Sequence, residues 1–449
     1  MSVREGNLQA PTRHALQWRE PEFYDQAKCD DELARIFDIC HGCRRCVSLC
    51  TAFPTLFDLI DEGKTGELDG VDRKDFAKVV DQCYLCDLCY MTKCPYVPPH
   101  PWNVDFPHVM LRAKAIHFKQ GQTKFRDRLL TSTDAVGKLA AIPVVAQTVN
   151  AVNRNGAARG VMEKVLGVHK DRELPPYAPS RFRSSAKPGA VSKGAQVKNG
   201  ERTPGKVAIF ATCYVNYNEP DIGHDLVAVL EHNGIPWRLA EKEACCGMPK
   251  LELGDLDTVA KLKEVNIPQL AALAREGYAI LTAVPSCTLM FKKELPLIFP
   301  DDPEVAEVSQ AMFDPFEYFV ARVKDGLLNT DFKASPGNVS YHIPCHSRVQ
   351  NMGQKTRELL QMIPGTQVNT VERCSGHDGT WGVKTEYYDN SMKIGRPVFR
   401  QMASGEPHYI SSDCAIAARH IEQGMREADP GKAVQKAHPL TLLRMAYGL

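Results

Sequence analysis

The sequence lacks the features that mark three common classes of protein. No uninterrupted apolar run reaches the length of a membrane span, and the nearest, 135–152, is broken by Lys138, Pro143 and Gln147. Lys and Arg number 55 against 54 Asp and Glu, so a formal charge of +1 gives no reason to expect a nucleic-acid partner. The opening residues show neither an apolar core nor a cleavage site, so we expect no secretory signal.

Cysteine, by contrast, is abundant, with 16 residues. In a chain that is not exported, thiols serve metal or redox chemistry in a reducing compartment, and we therefore expect a cytoplasmic location. The apolar segment 135–152 leaves two interpretations open. It is either a buried or partner-facing helix, or an amphipathic helix in peripheral contact with the inner face of the cell membrane. We expect the isolated Cys29 to be structural.

Eight cysteines form two matched runs. The first reads C-x-x-C-x-x-C-x-x-x-C over 40–50, and the second reads C-x-x-C-x-x-C-x-x-x-x-C-P over 83–95. Three thiolates at this spacing wrap one face of an iron–sulfur cube, and in paired sites the fourth cysteine of each run binds the other cluster. The spacing predicts two [4Fe–4S] clusters, one bound by Cys40, Cys43, Cys46 and Cys94 and one bound by Cys83, Cys86, Cys89 and Cys50.

The runs depart from the bacterial ferredoxin pattern at two points. Thr51 stands where that pattern has proline, and the second run has one extra residue before Cys94. Zinc sites also use paired C-x-x-C spacings, but a third cysteine at the same interval in both runs is unusual for zinc. Disulfides would require an oxidising compartment. The iron–sulfur interpretation is therefore favoured.

The second half of the chain alternates strands and helices from Lys206 onward. This alternation predicts parallel sheets, whose sites gather at the carboxyl ends of strands. Cysteines follow three predicted strands, at Cys213, at Cys245-Cys246-Gly247 and at Cys287. The pattern recurs later in the chain, at Cys345, at Cys374-Ser375-Gly376 and at Cys414. We therefore predict two homologous lobes, 206–305 and 335–449.

The predicted fold class is α+β, with an α-rich ferredoxin-like domain preceding the two α/β lobes. The predicted order is an extended arm over 1–29, a 2[4Fe–4S] domain over 30–104, a helical connector over 105–170, a basic Pro/Gly/Ser linker over 171–205, and then the lobes. Within the linker, 184–204 has almost no large apolar residue, so we expect it to be disordered.

The doubled cluster runs and the repeated Cys…Cys-Cys-Gly…Cys pattern resemble one family over about residues 30–445. It is the family of iron–sulfur oxidoreductase subunits with paired cysteine-rich CCG domains, which includes the cysteine-rich subunits of anaerobic glycerol-3-phosphate dehydrogenase and heterodisulfide reductase and the iron–sulfur subunit of glycolate oxidase. The resemblance implies that the ferredoxin-like part carries electrons. It also implies that the CCG lobes hold an electron-accepting or disulfide-handling site, which in the heterodisulfide reductase branch is a noncubane cluster.

Carried onto this sequence, the resemblance assigns the catalytic, metal-binding cysteines of the first lobe as Cys213, Cys245, Cys246 and Cys287. Met290 stands where a closing cysteine is usual. In the second lobe Ser375 and Ala417 replace cysteines, which leaves as candidate metal ligands Cys345, Cys374 and Cys414. The residues that could complete a metal site there, or be ordinary hydrogen-bonded residues, are His342, His346, His377 and Asp378. A third iron–sulfur cluster or another metal in the lobes stays open.

The main hypothesis is an iron–sulfur oxidoreductase subunit that passes electrons through two [4Fe–4S] clusters to the CCG site and on to a quinone or protein acceptor. The sequence has no G-x-G-x-x-G fingerprint, so the hydride-accepting partner must be another chain, such as a flavin-containing dehydrogenase. One alternative is a thiol–disulfide reductase acting at the CCG site. Another makes the lobes a scaffold, with only the N-terminal clusters active.

Overall fold

The computed structural model describes residues 11–188, 196–431 and 434–449. The chain divides into two compact units. The first contains Met1–Thr131, Pro249–Val259 and Leu297–Pro300, and the second contains Ser132–Met248, Ala260–Pro296 and Asp301–Leu449.

The first unit is helical, and its described residues form no strand. Its helices are Gln26–Cys43, Ala52–Asp61, Phe76–Gln82, Phe106–Lys119 and Phe125–Leu130, with 3-10 turns at Pro21–Tyr24, Leu68–Gly70 and Arg73–Asp75 and a π-helical turn at Cys89–Lys93. Aromatic rings fill its core, with the rings of Phe37 and Phe76 centred 5.1 Å apart and those of Phe53 and Phe106 centred 4.7 Å apart. The unit is α-rich as predicted, while its ferredoxin-like character stays a prediction.

The predicted extended arm, 1–29, is only partly extended. Residues 1–10 lie outside the described residues, and a helix begins within the predicted arm, at Gln26. It starts early because the Asp25 carboxylate caps it, accepting a hydrogen bond from the Lys28 amide. Cys29 lies within this helix and is fully buried, as expected for a structural cysteine.

The second unit contains two four-stranded parallel sheets with the same strand order. The first sheet is built from β1 (Val207–Ile209), β2 (Trp237–Leu239), β3 (Ala279–Leu281) and β4 (Met312–Phe313), in the order β2-β1-β3-β4. The second is built from β5 (Asn338–His342), β6 (Gln367–Val371), β7 (Tyr409–Ser412) and β8 (Gln435–Lys436), in the order β6-β5-β7-β8. All adjacent strands pair in parallel, as the strand–helix alternation predicts. The first sheet includes β4, which lies beyond residue 305, the predicted end of the first lobe.

Helices connect the strands and cover the sheets. Those of the connector are Thr133–Ala140, Pro143–Arg154 and Gly156–Leu166, followed by the short Phe182–Ser185. The first lobe has Cys213–Tyr217, Pro220–His232, Pro285–Leu289, a π-helical turn Met290–Glu294, Pro303–Ala311 and Pro315–Lys324. Three helices contain residues of both units, namely Met248–Leu253, Leu256–Arg275 and Leu295–Ile298. The second lobe has Cys345–Arg348, Lys355–Leu360, Tyr388–Ala403, Ala415–Ala428 and Pro439–Ala446.

The last helix joins the cores of the two lobes. Leu440 and Leu443 belong to the cluster around β1 and β3, while Leu442 and Ala446 belong to the cluster around β5. All four side chains are fully buried, so one helix supplies apolar contacts to both lobes.

The linker is described only in part. Of the segment 184–204, residues 189–195 lie outside the described residues, and its described flanks are largely exposed but make specific contacts. Just before it, Phe182 is fully buried against the first lobe. Beyond the gap, the Arg322 guanidinium donates to the Lys198 carbonyl at 3.1 Å, and the Tyr318 hydroxyl donates to the Pro204 carbonyl at 2.7 Å. Backbone hydrogen bonds to buried side chains thus replace the apolar burial that the segment lacks.

The apolar segment 135–152 forms parts of two helices rather than one. In the part of the chain that the structure describes, no single helix is long and apolar enough to cross a membrane. The helices Thr133–Ala140 and Pro143–Arg154 have the length and apolar composition of a membrane span only when taken together, and the pair is bent by 107° at the break between them. Leu139 is 68% exposed and Val144 is 73% exposed, so this segment is not wholly buried, and whether it faces a partner or a membrane stays a prediction.

Candidate iron–sulfur centres and cysteine site

The first four-cysteine set surrounds one cavity in the first unit. Cys40 and Cys43 lie at the end of the helix Gln26–Cys43, which Arg44 terminates in the left-handed conformation at φ 51°. Together with Cys46 and Cys94 they line a cavity of about 320 Å³ including its mouth, whose apolar wall includes Phe53 and Phe57. Burial, and then the neighbouring Cys94, raises the pKa of the Cys46 thiol to about 12. The thiols are therefore close enough to repel one another's negative charge.

The second set surrounds a separate cavity of about 360 Å³, with the cysteines Cys50, Cys83, Cys86 and Cys89. Leu85 and Asp87 have φ values of 54° and 60°. These left-handed residues reverse the direction of the backbone on either side of Cys86, so that the sulfurs of this run share one cavity. Burial raises the pKa of Cys83 to about 12, while the nearby Lys114 ammonium acts in the opposite direction. Phe53 lines both cavities, so one ring separates the two sets.

The N-terminal arm holds the second turn in place, a role that the sequence did not indicate. The Arg13 guanidinium donates to Asp87 at 2.6 Å and to Asp105 at 2.9 Å, and it lies over the Tyr90 ring. All three partners follow the cysteine run or sit within it. An arginine in a polar arm gives no periodic signal, so only the fold shows this contact.

The two sets fit the predicted cofactor by their chemistry. The structure brings together the same groups of four that the spacing pairs, each in a small cavity walled by aromatic rings. Among the described residues no group of three or more His, Cys, Asp or Glu side chains is close enough to hold a single metal ion. Four thiols around a cavity suit a larger group, and its iron would supply the positive charge that buried thiolates need. The assignment of two [4Fe–4S] clusters remains a prediction.

The first lobe gathers its four cysteines at one edge of its sheet. Cys213 begins the helix that follows β1, Cys245 and Cys246 lie in the loop after β2, and Cys287 lies in the helix after β3. Because these strands are parallel neighbours, their carboxyl ends bring the three loops together. Thr212, at φ 63°, turns the chain sharply, and its hydroxyl accepts a hydrogen bond from the Val215 amide to start the helix.

The four sulfurs form a continuous chain of thiol contacts. Cys213 and Cys246 both hydrogen-bond to Cys245, and Cys246 also hydrogen-bonds to Cys287. These donations lower the pKa of Cys245 well below the usual thiol range, and the pKa values of Cys213 and Cys246 rise in turn. The first lobe therefore stabilises a thiolate at Cys245, which suits either metal binding or attack on a disulfide.

Thr133 belongs to this cysteine site, although no pattern in the sequence marks it. Its hydroxyl oxygen lies 3.5 Å from the sulfur of Cys213 and 3.5 Å from that of Cys245. It is the first residue of the connector helix Thr133–Ala140. The connector is therefore part of the site and not only a spacer. Met290, expected at the position of a closing cysteine, is fully buried.

The second lobe places its cysteines after the matching strands but surrounds them differently. Cys345 follows β5, Cys374 follows β6 and Cys414 follows β7. The Gly376 amide donates to the Cys374 sulfur at 3.4 Å, and burial raises the pKa of the Cys414 thiol to about 11. Ser375, which replaces a cysteine, is buried.

The candidate histidines of the second lobe have structural contacts. His342 is buried between the Ser412 hydroxyl, at 3.1 Å, and the Arg373 carbonyl, at 2.9 Å, and burial lowers its pKa to about 4. One ring nitrogen of His346 lies 2.8 Å from the Ser286 hydroxyl of the first lobe. Both ring nitrogens of His342 are engaged, so its contacts favour the hydrogen-bonded interpretation over the metal-ligand one. The Ser286 contact engages one nitrogen of His346 and fits either interpretation, because a metal-ligating histidine also hydrogen-bonds through its second nitrogen.

Arg172 organises the rest of this region, and the sequence did not indicate it. It is buried and donates to the Gly382 carbonyl at 2.9 Å, to the Ser391 hydroxyl at 2.6 Å and to a ring nitrogen of His420. The ring of His377 is centred 5.8 Å from that of His420, and burial, followed by the Arg172 charge, lowers the pKa of His377 to about 3. A buried guanidinium beside two imidazoles opposes a metal cation at this point.

Comparison with known proteins defines the class. The family described as "Cysteine-rich domain" matches the chain twice, over 207–292 and 339–420, which correspond to the two lobes. Lactate utilization protein A of Bacillus thuringiensis (strain Al Hakam) is 31% identical over 238 residues, covering 52% of this chain and 96% of that protein. The chain belongs to the family of iron–sulfur oxidoreductase-related proteins that carry paired cysteine-rich CCG domains.

Two other relatives extend the similarity beyond that protein. An anaerobic glycerol-3-phosphate dehydrogenase subunit of Escherichia coli (strain K12) is 29% identical over 351 residues, covering 77% of this chain and 83% of the relative. A fumarate reductase (CoM/CoB) subunit of Methanothermobacter marburgensis is 28% identical over 264 residues, covering 57% of this chain and 50% of the relative. One is named as part of a dehydrogenase and the other as part of a reductase, so the resemblance read from the sequence is confirmed.

Proposed function

We propose that the chain is the electron-transfer subunit of an oxidoreductase complex. Electrons enter from a separate flavin-containing dehydrogenase or other redox protein and pass through two [4Fe–4S] clusters to the cysteine site of the first lobe. From there they pass to an acceptor outside the chain, for which we expect a quinone or a protein. The clusters supply the redox chemistry when bound, and the chain contributes burial, aromatic walls and the thiol ligands.

One observation carries this proposal. The first unit gathers eight thiols into two cavities that share the wall residue Phe53, and the first lobe gathers four more into one chain of sulfurs. A chain that concentrates its thiols in three such places is equipped to store and pass electrons. The relatives named as dehydrogenase and reductase subunits support the same role.

The test is a count of iron and labile sulfide on anaerobically purified protein, with EPR of the reduced and oxidised states. About eight irons with ferredoxin-type signals support two cubanes, and a further signal lost in Cys245→Ser would place a third cluster in the first lobe. The proposal also requires that the purified chain alone oxidises no organic substrate with NAD. Turnover of glycerol 3-phosphate or a 2-hydroxy acid by the chain alone would contradict it.

A second candidate is a thiol–disulfide reductase, and the stabilised thiolate at Cys245 favours it. If the first lobe cleaves a disulfide, Cys245→Ser and Cys246→Ser should abolish disulfide reduction and leave the ferredoxin-type EPR signals unchanged. Electron transfer that continues at full rate in both variants would instead support a scaffold role for the lobes.

We also propose a cytoplasmic protein in peripheral contact with the inner face of the cell membrane through the connector helices. Leu139 and Val144 are exposed on the bent helix pair, and Val161 and Val165 are 62% and 74% exposed on the next helix. Co-sedimentation with phosphatidylglycerol vesicles should fall several-fold in Val144→Asp. The matched change Val265→Asp, at another exposed position of the second unit, should leave it unchanged.

A further inference from the structure

One cavity of the second unit opens beside the cysteine site and has no role in the function proposed so far. Its volume is about 310 Å³, at the lower end of the range of pockets that hold small organic molecules. Cys213 lines it. Cys245, Cys246 and Cys287 are buried to the same small exposure of 5%, whereas Cys213 is partly exposed. A molecule in this cavity therefore meets the cysteine site at Cys213.

The lining is polar and carries charge of both signs. Two of its cations are paired with carboxylates, because Lys138 lies 2.8 Å from Asp134 and Arg183 lies 2.5 Å from Glu243. Arg183 also donates to the carbonyl oxygens of two neighbouring loop residues, so its guanidinium is fully engaged. Within each pair the two charges cancel, so the net charge of the cavity lining comes from its third cation.

Arg181 is that cation. In the described part of the chain it makes no ion pair with a carboxylate, and its guanidinium donates to the Lys138 carbonyl at 2.8 Å. It lies 5.7 Å from the centre of the Tyr217 ring, whose hydroxyl donates to Asp134. These contacts hold the guanidinium at the cavity wall with donors to spare, and a planar guanidinium binds carboxylate, sulfonate and phosphate groups well.

We propose that this cavity binds a small electron acceptor that carries a carboxylate, sulfonate or phosphate group, with Arg181 as the anchor for that group. A neutral isoprenoid quinone would have to place its apolar ring and tail against charged side chains, which costs free energy without a compensating contact. The inference rests on the proposed electron-transfer function and narrows the chemical class of the acceptor. For a quinone-type acceptor, the two bound clusters would each supply one electron and two water molecules would supply two protons, giving the hydroquinone and two hydroxide ions.

The test compares two acceptors of the same ring type. The full chain, reduced with dithionite under anaerobic conditions, is mixed with naphthoquinone sulfonate or with neutral menadione, and cluster reoxidation is followed by visible absorbance. Arg181→Gln should raise the naphthoquinone sulfonate concentration needed for half-maximal rate by about fivefold, the effect of one partly exposed charge pair. The same change should leave menadione within about twofold, and Arg181→Lys should retain most of the wild-type behaviour.

Arg400→Gln, an exposed arginine on the helix Tyr388–Ala403, is the matched control and should change neither acceptor. An equal effect of Arg181→Gln on both acceptors, or no effect on naphthoquinone sulfonate, would overturn the proposed pocket while leaving electron transfer intact. If the wild-type clusters are reoxidised by neither acceptor, the electron-transfer function itself fails, and that outcome is distinguishable from the first two.

Discussion

The two lobes have sheets of the same strand order, but different residues surround the cysteines at the carboxyl ends of the strands, the site edge of each lobe. Both order their four parallel strands alike, and both place cysteines after the first three strands of the lobe. In the first lobe these cysteines form one chain of thiol contacts around Cys245. In the second lobe the corresponding region contains the buried Ser375, His342 and His420 and the guanidinium of Arg172.

The difference shows which part of the repeat the fold needs. The sheets are held by their apolar cores, so the strand order survives changes at the site edge. The site edge of the first lobe needs cysteine sulfurs, whereas that of the second lobe contains a buried group of polar side chains linked by hydrogen bonds to Arg172. We therefore expect the first lobe to keep redox chemistry and the second to contribute structure.

The largest effect should come from exchanging equivalent residues of the two lobes. Cys246→Ser copies into the first lobe the serine that the second lobe has at Ser375. It removes the sulfur that contacts both Cys245 and Cys287. The rate of electron transfer from reduced protein to an external acceptor should therefore fall by about 100-fold or more, because loss of a residue that only hydrogen-bonds a ligand already costs about 10–100-fold. Stopped-flow reoxidation measures this rate.

The control is Cys374→Ser, which removes the remaining cysteine of the corresponding pair in the second lobe and should alter that rate by less than about twofold. Equal losses in the two variants would show that both lobes carry the redox site, and the comparison between them would fail.

The sequence predicted the repeat and the cysteine sets but not the residues that complete the sites. Cysteine spacing, strand ends and the glycine after Cys245-Cys246 are local signals, and the structure places those residues where the pattern requires. Thr133 and Arg172 reach their sites from segments distant in sequence, and neither a connector threonine nor a linker arginine has a distinctive local pattern. The contacts of the linker have no local signal either, since polar composition does not show that the Arg322 guanidinium donates to the Lys198 carbonyl.

Arg172→Met tests whether the polar network stabilises the second lobe. The side chain is buried, and its loss leaves the Gly382 carbonyl, the Ser391 hydroxyl and the His420 ring without a donor. We expect the free energy of opening of the second lobe to fall by about 2–4 kcal/mol. Hydrogen exchange at β5 and β7 should accelerate, while exchange at β1 and β3 should change little. Uniform acceleration in both sheets, or none, would contradict a local role, and the exposed Arg400→Met is the control.

Acid should affect the second lobe through its buried histidines. Burial lowers the pKa of His377 to about 3. Between that pH and about 6.5, the ordinary pKa of histidine, the unfolded chain therefore binds a proton at this residue and the folded chain does not. This contribution to stability is present above about pH 6.5 and is lost as the pH falls toward the folded value. His377→Gln should therefore reduce the drop in unfolding free energy between about pH 7 and pH 5 by about 1–2 kcal/mol, measured by urea unfolding at both values. An unchanged drop would contradict the buried, neutral state, and His224→Gln in the first lobe serves as the control.

The smallest expected effect concerns Thr133, the residue whose hydroxyl lies beside the thiols of the first lobe. Thr133→Val keeps the shape of the side chain but removes the hydroxyl that lies 3.5 Å from both Cys213 and Cys245. Loss of one such polar contact should destabilise the thiolate at Cys245 by about 1 kcal/mol, because the remaining donors are the neighbouring thiols. The midpoint potential of the first-lobe site should shift while the ferredoxin-type EPR signals stay unchanged. Thr148→Val, which removes an exposed hydroxyl that donates to the Val144 carbonyl on the next connector helix, should shift neither. A shift of equal size in both variants would mean that the connector acts through its packing and not through the hydroxyl of Thr133.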